Sequence, residues 1–167
     1  MSNSKAWMYD IYITYRKTLF LYAFSLTKSK ADAEDLVSET LTKTLVKYDF
    51  KNPNIEAWMF RVMKNCFLDK AKKNKRILDE GQYNLDWIED PYDATENYIE
   101  NENKRWMYSK IYKLPQRDRN IMLLSFTSNL DDEQIAELLG VKLNTIRTIR
   151  FRVKEKLIAE AKKERLL

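Results

Sequence analysis

Apolar residues recur at intervals of about three to four along most of this chain, which is the spacing of one face of an α-helix. In the N-terminal part this spacing predicts helices over residues 19–26, 33–45 and 58–67. The first break falls at residues 29–32, which begin with a cap-like serine, and the second at residues 52–54, where proline removes a backbone donor. This part is therefore predicted to be a small bundle of helices.

The C-terminal part shows the same spacing with clearer breaks. Pro115 ends one helix, residues 131–134 resemble a capping box that begins another, and Gly140 ends that helix with a left-handed backbone. The predicted helices run from about residues 93–95 to 112, over 118–126, from 131 to 139 and over 145–161.

The composition supports an all-α fold and narrows the chemistry. Two glycines and three prolines are few for 167 residues, which disfavours a turn-rich β architecture. The single cysteine, Cys66, excludes a disulfide framework within the chain and is predicted to be a small buried residue. The lack of histidine excludes histidine-dependent catalysis and histidine-containing zinc sites. Because the chain has neither a membrane-spanning apolar run nor a secretory signal, we expect a cytoplasmic protein without membrane insertion.

The net charge of +5 is unevenly distributed. Residues 61–76 carry seven basic side chains and one acidic one, residues 77–103 carry nine acidic and no basic ones, and residues 142–156 carry six basic and one acidic. A basic cluster alone also fits a solvated helix face, but two of them at helix ends favour a nucleic-acid partner. The predicted organisation is a helical domain at residues 1–76, an acidic linker at 77–94 and a second helical domain at 95–167.

The acidic linker is predicted to have little fixed structure, because Gly81, Pro91 and a run of acidic residues interrupt any helical pattern. Trp87 and Ile88 are apolar exceptions within it. We expect these two residues to dock onto a partner or onto one of the domains.

Ala136, Gly140 and Ile146 have the spacing of a helix-turn-helix. The alanine lets two helices cross closely, the glycine makes the turn, and the isoleucine anchors the second helix in the core. A helical hairpin with a basic solvent face is the alternative. Lys142 stands where a serine or threonine would cap the second helix better. We therefore expect that this helix is either poorly capped or capped by Asn144. The other interior positions are Ile135, Leu139, Val141 and Ile149, and the positions facing outward, towards a major groove, are Asn144, Arg147, Thr148, Phe151 and Arg152.

Two sets of motifs resemble the sigma-70 family. The C-terminal motifs resemble its region 4 and read Leu114-Pro-Gln-Arg-Asp-Arg119, Asp132-Glu-Gln-Ile-Ala-Glu-Leu-Leu-Gly140 and Asn144-Thr-Ile-Arg-Thr148. The N-terminal motifs resemble its region 2 and read Ala33-Glu-Asp-Leu-Val-Ser-Glu-Thr40 and Ala57-Trp-Met-Phe-Arg61, followed by Asn65 and Asp69. A layout of these two regions alone resembles the extracytoplasmic-function (ECF) group of the family.

The resemblance implies a protein that binds core RNA polymerase and directs promoter-specific initiation, with no catalysis or cofactor of its own. It implies that region 2 binds the clamp coiled-coil of the polymerase β′ subunit through Glu34, Asp35, Leu36, Ser38 and Glu39. It implies that region 2 captures a base of the −10 element with Phe50, Lys51, Asn52, Asn54, Trp58, Arg61 and Asn65. It implies that region 4 reads the −35 element with Asn144, Arg147, Thr148, Arg150, Phe151 and Arg152.

The resemblance also bears on the linker and on further partners. In the family the linker runs through the active-site cleft and RNA exit channel, where acidic residues would imitate nucleic acid, although a plain spacer is the alternative. Ser125 stands where relatives use an arginine on a phosphate, so we expect that contact to be absent. The β flap of the polymerase and an anti-sigma factor are the other partners implied.

Two other classes of function remain as alternatives. A stand-alone helix-turn-helix regulator would bind duplex DNA tightly without polymerase, usually as a dimer on a palindrome. A metal-dependent nuclease would use Glu34, Asp35 and Glu39, but this single acidic cluster has no histidine to support it. We therefore expect no metal and no enzyme activity.

Overall fold

The structure, a computed structural model, describes residues 2–49, 54–74, 83–89, 98–99 and 101–166, without the side chains of residues 2–4 and 89. Every regular element in these ranges is an α-helix, which confirms the predicted all-α class. None of the described helices combines the length and the apolar character needed to cross a membrane. The chain divides into two compact units, Met1–Gln82 and Tyr83–Leu167. The helices are α1 (Ser2–Thr27), α2 (Lys30–Lys47), α3 (Ile55–Lys73), α4 (Asp86–Glu89), α5 (Glu102–Tyr112), α6 (Gln116–Thr127), α7 (Asp132–Leu139) and α8 (Leu143–Lys163).

Buried aromatic residues of α1 form part of the core of the first unit, and one of them packs against α3. Phe20 and Phe24, one turn apart, stack with ring centroids 6.3 Å apart, and Tyr22 meets the ring of Phe60 edge-on at 5.5 Å. All four rings are buried. Helix α1 begins well before the predicted residues 19–26. The prediction missed its first half because that half is only partly buried and lacks a strong apolar stripe.

Side-chain caps determine where α2 and α3 begin. Ser29 Oγ accepts a hydrogen bond from the Asp32 backbone N–H at 3.3 Å, and Asn54 Oδ1 accepts one from the Ala57 N–H at 3.0 Å. Each cap satisfies a donor that the first helical turn leaves open. The predicted cap at Ser29 is confirmed, whereas residues 52 and 53 of the predicted turn lie outside the described residues.

The second unit has its own core, to which α4 to α8 contribute. Ile88, Ile111, Ile121, Ile135 and Ile146 come from these five helices in turn, and each is fully buried. Helix α6 lies at the centre, since four consecutive residues, 121–124, are inaccessible to solvent. Four consecutive buried residues point to more than one side of a helix, which explains why α6 contacts α5, α7 and α8.

The acidic segment is not entirely a linker, because residues 83–89 pack within the second unit. The Arg119 guanidinium lies 4.7 Å from the centre of the Tyr83 ring, and the ring of Tyr112 lies 5.6 Å from that of Tyr83. Ile88 inserts into the core, and the Trp87 ring meets Tyr98 edge-on at 6.2 Å. The expected docking of Trp87 and Ile88 onto a domain is thus confirmed, while residues 77–82 and 90–94 lie outside the described residues.

Helix α5 begins later than predicted. Its first residue is Glu102, because Asn101 Oδ1 accepts a hydrogen bond from the Lys104 N–H at 2.9 Å and so caps the helix there. Residues 98 and 99 form a bend. Residues 93–95, where a start was predicted, lie outside the described residues, and the helix that reaches Tyr112 begins at Glu102.

Candidate nucleic-acid interface

Helix α7 begins with the predicted capping box. Asp131 Oδ1 accepts from the Gln134 N–H at 2.8 Å, and Gln134 Oε1 accepts from the Asp131 N–H at 2.9 Å. Two open donors of the first turn are satisfied reciprocally, which fixes where α7 begins. The prediction from residues 131–134 is confirmed.

Gly140 makes the turn between α7 and α8. Its φ of +66° is left-handed, and the Val141 N–H donates to the Ala136 carbonyl at 3.0 Å across the end of the helix. No atom lies within 4 Å of the place where a Cβ would stand, so glycine is required by the backbone conformation rather than by space. The interior positions behave largely as predicted, with Ile135, Ala136, Ile146 and Ile149 buried and Leu139 and Val141 half-buried.

Helix α8 starts at Leu143 without a side-chain cap. Lys142 occupies the cap position and its side chain accepts no hydrogen bond, as its chemistry predicts. Asn144 lies inside the first turn and is exposed, so it is not the cap. The open N–H groups at this end are therefore free of side-chain caps, which suits approach to a phosphate.

The exposed face of α8 carries most of the residues predicted to read DNA. Phe151 is 68% exposed, which is unusual for a large apolar side chain, and the Arg147 side chain is 63% exposed. Asn144, Thr148 and Arg152 are also exposed. The face thus combines hydrogen-bond donors, one hydroxyl and an aromatic ring, which are the groups that read base edges and phosphates.

Three arginines of α8 contact carboxylates of the two preceding helices, since Arg147 and Arg150 both contact Asp132 and Arg152 contacts Asp118. Arg150 Nη2 donates to Asp132 Oδ1, its Nε lies 3.3 Å from Ser125 Oγ, and Arg152 pairs with Asp118. Sequence reasoning missed both aspartates, because neither repeats with the apolar period. In the structure Arg150 fills the space beside Ser125, and its side chain is only 26% exposed.

The residues predicted to capture a −10 base lie partly on α3. Trp58, Arg61 and Asn65 follow one another at helical spacing on one face, with Arg61 and Asn65 exposed. Trp58 is half-buried, and its ring meets that of Tyr48 edge-on at 5.4 Å. Asn54 caps α3, so its side-chain oxygen is already occupied. Phe50, Lys51 and Asn52 lie outside the described residues.

The predicted polymerase-binding residues of α2 separate into three environments. Glu34, Asp35 and Ser38 are exposed and form an acidic surface. Leu36 is 1% exposed, because the apolar spacing of α2 turns it into the core, and its contact with the polymerase stays a prediction. Glu39 is half-buried and lies between two lysines of its own unit.

Glu39 joins α2 to α3 through Lys70, whose Nζ lies 2.6 Å from Glu39 Oε2, while the Lys43 Nζ lies 3.6 Å from Oε1. The hydrogen bond from Lys70 is the main reason why the pKa of Glu39 lies below its ordinary value. Lys43 also donates to the sulfur of Cys66 at 3.2 Å, and this contact is the main cause that raises the pKa of Lys43. Cys66 is buried as predicted, but with a polar partner that its apolar neighbours in sequence did not suggest.

An apolar groove of about 270 Å³ lies in the second unit, along α5 and the C-terminal half of α8. Trp106 lines it and donates from Nε1 to Glu164 Oε2 at 2.6 Å, which lowers the pKa of the exposed Glu164. Lys110 lies 3.5 Å from Glu160 and strengthens the same edge. Nothing in the sequence spacing predicted this groove, because its walls come from separate helices. Its apolar lining consists of Trp106, Met107, Phe126, Leu157, Ile158, Ala161 and Leu166.

Comparison with protein families finds two matches in the order that the sequence motifs suggested. The family described as sigma-70 region 2 matches residues 11–77, and sigma-70 region 4 matches residues 104–157. The chain is 26% identical over 170 residues to RNA polymerase sigma factor SigV of Bacillus subtilis, covering 98% of this chain and 96% of that protein. It is 30% identical over 146 residues to ECF RNA polymerase sigma factor EcfG of Rhodopseudomonas palustris, covering 85% of this chain and 78% of that protein.

A solved structure shares the fold. It is the sigma factor RpoE in complex with the anti-sigma factor NepR from Bartonella quintana, with a TM-score of 0.61 and 22% identity. The similarity covers 92% of this chain and 94% of that one. Both helical units therefore have counterparts in a known protein.

Proposed function

We propose, since this chain belongs to the extracytoplasmic-function (ECF) group of sigma-70 factors, that its two helical units divide promoter recognition between them. The protein is an alternative sigma factor, which binds core RNA polymerase and promoter DNA and directs transcription. This family is not a class of enzymes, and RNA synthesis belongs to the polymerase. A cytoplasmic location, where polymerase acts, is part of the proposal.

The exposed face of α8 is the observation that carries the −35 assignment. Arg147 is placed to read a base edge, since an arginine fork donates two hydrogen bonds to guanine in the major groove. Thr148 and Phe151 are suited to a phosphate oxygen and a thymine methyl group. Arg152 and Asn144 would contact the backbone at the two sides of this face, and Arg150 would support the helix more than it reads bases.

The exposed face of α3 is assigned to the −10 element. Arg61 would hold the DNA backbone, while Asn65 offers both a donor and an acceptor to an unpaired base. Trp58, half-buried against Tyr48, presents part of its ring for stacking, which contributes about 1–3 kcal/mol per base in single-strand binding. The preceding residues 50–54 would complete the pocket, as the family resemblance implies.

Two surfaces are assigned to the polymerase. The exposed carboxylates of Glu34 and Asp35 suit a basic face of the β′ clamp coiled-coil, and the exposed Ser38 lies one turn further along the same helix. Glu39 supports that surface by holding α2 to α3 rather than by direct contact. The apolar groove beside Trp106 would receive an apolar segment of the β flap, and an anti-sigma factor would compete for these same surfaces.

Run-off transcription with purified core polymerase tests the proposal. We expect selective transcripts from promoters found by mapping transcripts after overexpression, and loss of that selectivity when Arg147 and Phe151 are both replaced by alanine. Lys162→Ala, at the exposed far end of α8, is the matched control and should preserve selectivity. Failure of the protein to bind core polymerase would contradict the proposal.

The alternative of a stand-alone helix-turn-helix regulator is not favoured, because the region 2 match occupies residues 11–77. A gel-shift assay separates the two. A regulator would bind promoter duplex tightly by itself, whereas we expect specific binding only when polymerase is present.

A further inference from the structure

The carboxylate of Asp132 is shared between two arginines of the recognition helix. Its Oδ1 accepts from Arg150 Nη2, and its Oδ2 lies 3.8 Å from Arg147 Nε. The two arginines are three residues apart, about one turn, so they emerge on the same side of α8. One side chain at the start of α7 therefore engages both arginines.

The two contacts differ in kind. Arg150 and Asp132 are each about one-quarter exposed, and Arg150 also reaches Ser125, so this contact links α6, α7 and α8 within the unit. The Arg147 side chain is 63% exposed, and the 3.8 Å from its Nε to Asp132 Oδ2 is an ion-pair distance that is too long for a hydrogen bond. In the described part of the chain Arg147 donates no hydrogen bond, so its N–H groups remain available to DNA.

Orientation of an arginine matters for reading a base. A bidentate contact to guanine needs two N–H groups at a fixed angle, and a free arginine side chain must lose rotamer freedom to present them. A carboxylate on the Nε side reduces that loss, because it restricts the guanidinium before DNA arrives. The same carboxylate carries a negative charge beside the DNA-binding face, which opposes indiscriminate attraction to phosphates.

We propose that Asp132 is a positioning residue for promoter selectivity: it orients Arg147 for one base pair of the −35 element and lowers affinity for other DNA. The inference rests on the assignment of α8 to the −35 element. Asp132 reaches no base itself and acts through Arg147.

The test uses the complete protein bound to core polymerase. The holoenzyme is offered a pool of promoter fragments randomised across the −35 element, and the bound fragments are sequenced. Asp132→Asn keeps the size of the side chain and removes its charge. Glu133→Gln is the matched control, since Glu133 is the next residue of α7, is exposed, and contacts neither arginine among the described residues.

We expect Asp132→Asn to reduce the base preference at one position by about tenfold, the scale of one bidentate contact. Retention on non-promoter DNA should stay the same or rise. Glu133→Gln should keep the wild-type preference. A preference is a ratio among bound sequences, so partial loss of folded protein lowers the yield without imitating this result.

A second arm asks whether Asp132 acts through Arg147. In an Arg147→Ala background, Asp132→Asn should change the base preference no further. The inference is overturned if Asp132→Asn matches Glu133→Gln, or if its effect persists without Arg147. A wild-type holoenzyme that selects no −35 sequence would instead overturn the assignment of α8, which separates the two failures.

Discussion

Asp118 and Arg152 form an ion pair that joins α6 to the recognition helix. The Asp118 side chain is 10% exposed, whereas that of Arg152 is 60% exposed. Arg117 also approaches Asp118, at 3.7 Å, but Arg152 makes the closer contact. A residue assigned to DNA therefore also compensates a carboxylate buried in the domain.

Arg152→Ala should weaken the second unit as well as DNA binding. Removal of the arginine leaves a buried acceptor without its main partner, which costs about 1–3 kcal/mol. Amide hydrogen exchange in α6 and α8 measures the loss. Lys156→Ala, exposed on the same helix, should change stability by less than about 0.5 kcal/mol. Equal exchange rates for the two variants would show that Arg152 has no structural role.

Gly140→Ala should destabilise the helix-turn-helix through its backbone alone. A left-handed alanine costs about 1–2 kcal/mol, and no neighbouring atom adds to that cost. Thermal unfolding followed by circular dichroism gives the measurement. Gly140→Asn should cost less, since asparagine tolerates this conformation. A larger loss with asparagine than with alanine would mean that space, not φ, is limiting.

Glu39→Gln should lower the stability of the first unit at neutral pH by about 0.5 kcal/mol, a small value because the carboxylate is about one-third exposed. The hydrogen bond from Lys70 holds the pKa of Glu39 below 4.5. The contribution is therefore complete above pH 4.5 and disappears as the pH falls through the lowered pKa. Urea unfolding curves of wild type and variant should differ at neutral pH and converge in acid.

Glu34→Gln is the companion to that experiment, because Glu34 is exposed on the same helix. We expect it to reduce affinity for core polymerase while unfolding stays unchanged. The opposite pattern, with polymerase affinity dependent on Glu39 and stability on Glu34, would contradict the roles assigned to α2.

Ile158→Glu should impair attachment of the second unit to the polymerase flap. Ile158 is 43% exposed on the groove wall, so the substitution is tolerated in the free protein but places a charge against any apolar occupant. Affinity for a purified flap segment should fall by at least about tenfold. Ile13→Glu is the control, an exposed isoleucine of the first unit. Unchanged flap affinity for Ile158→Glu would assign the flap to another surface.

The helix-turn-helix was predictable because its determinants are local. Ala136, Gly140 and Ile146 act through backbone geometry and burial within a few turns, so their spacing in the sequence carries the information. The same holds for the caps at Ser29 and Asp131. Family resemblance added the roles of the domains, which no local pattern contains.

The contacts that the sequence did not predict join residues of different helices. Asp132 and Asp118 find their arginines 18 and 34 residues away, and no periodic pattern connects such positions. The family resemblance implied a polymerase contact for Leu36, whereas the place of this residue in the apolar stripe of α2 puts it in the core. Tyr83 contacts Arg119 of the second unit. This contact was not predicted, because Tyr83 lies in an acidic segment whose composition indicated a linker.

Cys66 gives the first unit an internal reporter of its own opening. It is the chain's one cysteine and is buried on α3 under Lys43 of α2, so a thiol reagent reaches it only when these helices part. The labelling rate then measures local opening of the first unit without signal from the second. If polymerase binds α2, the sulfur of Cys66 should be labelled more slowly in the holoenzyme than in the free protein. The measurement needs no engineered cysteine in this chain.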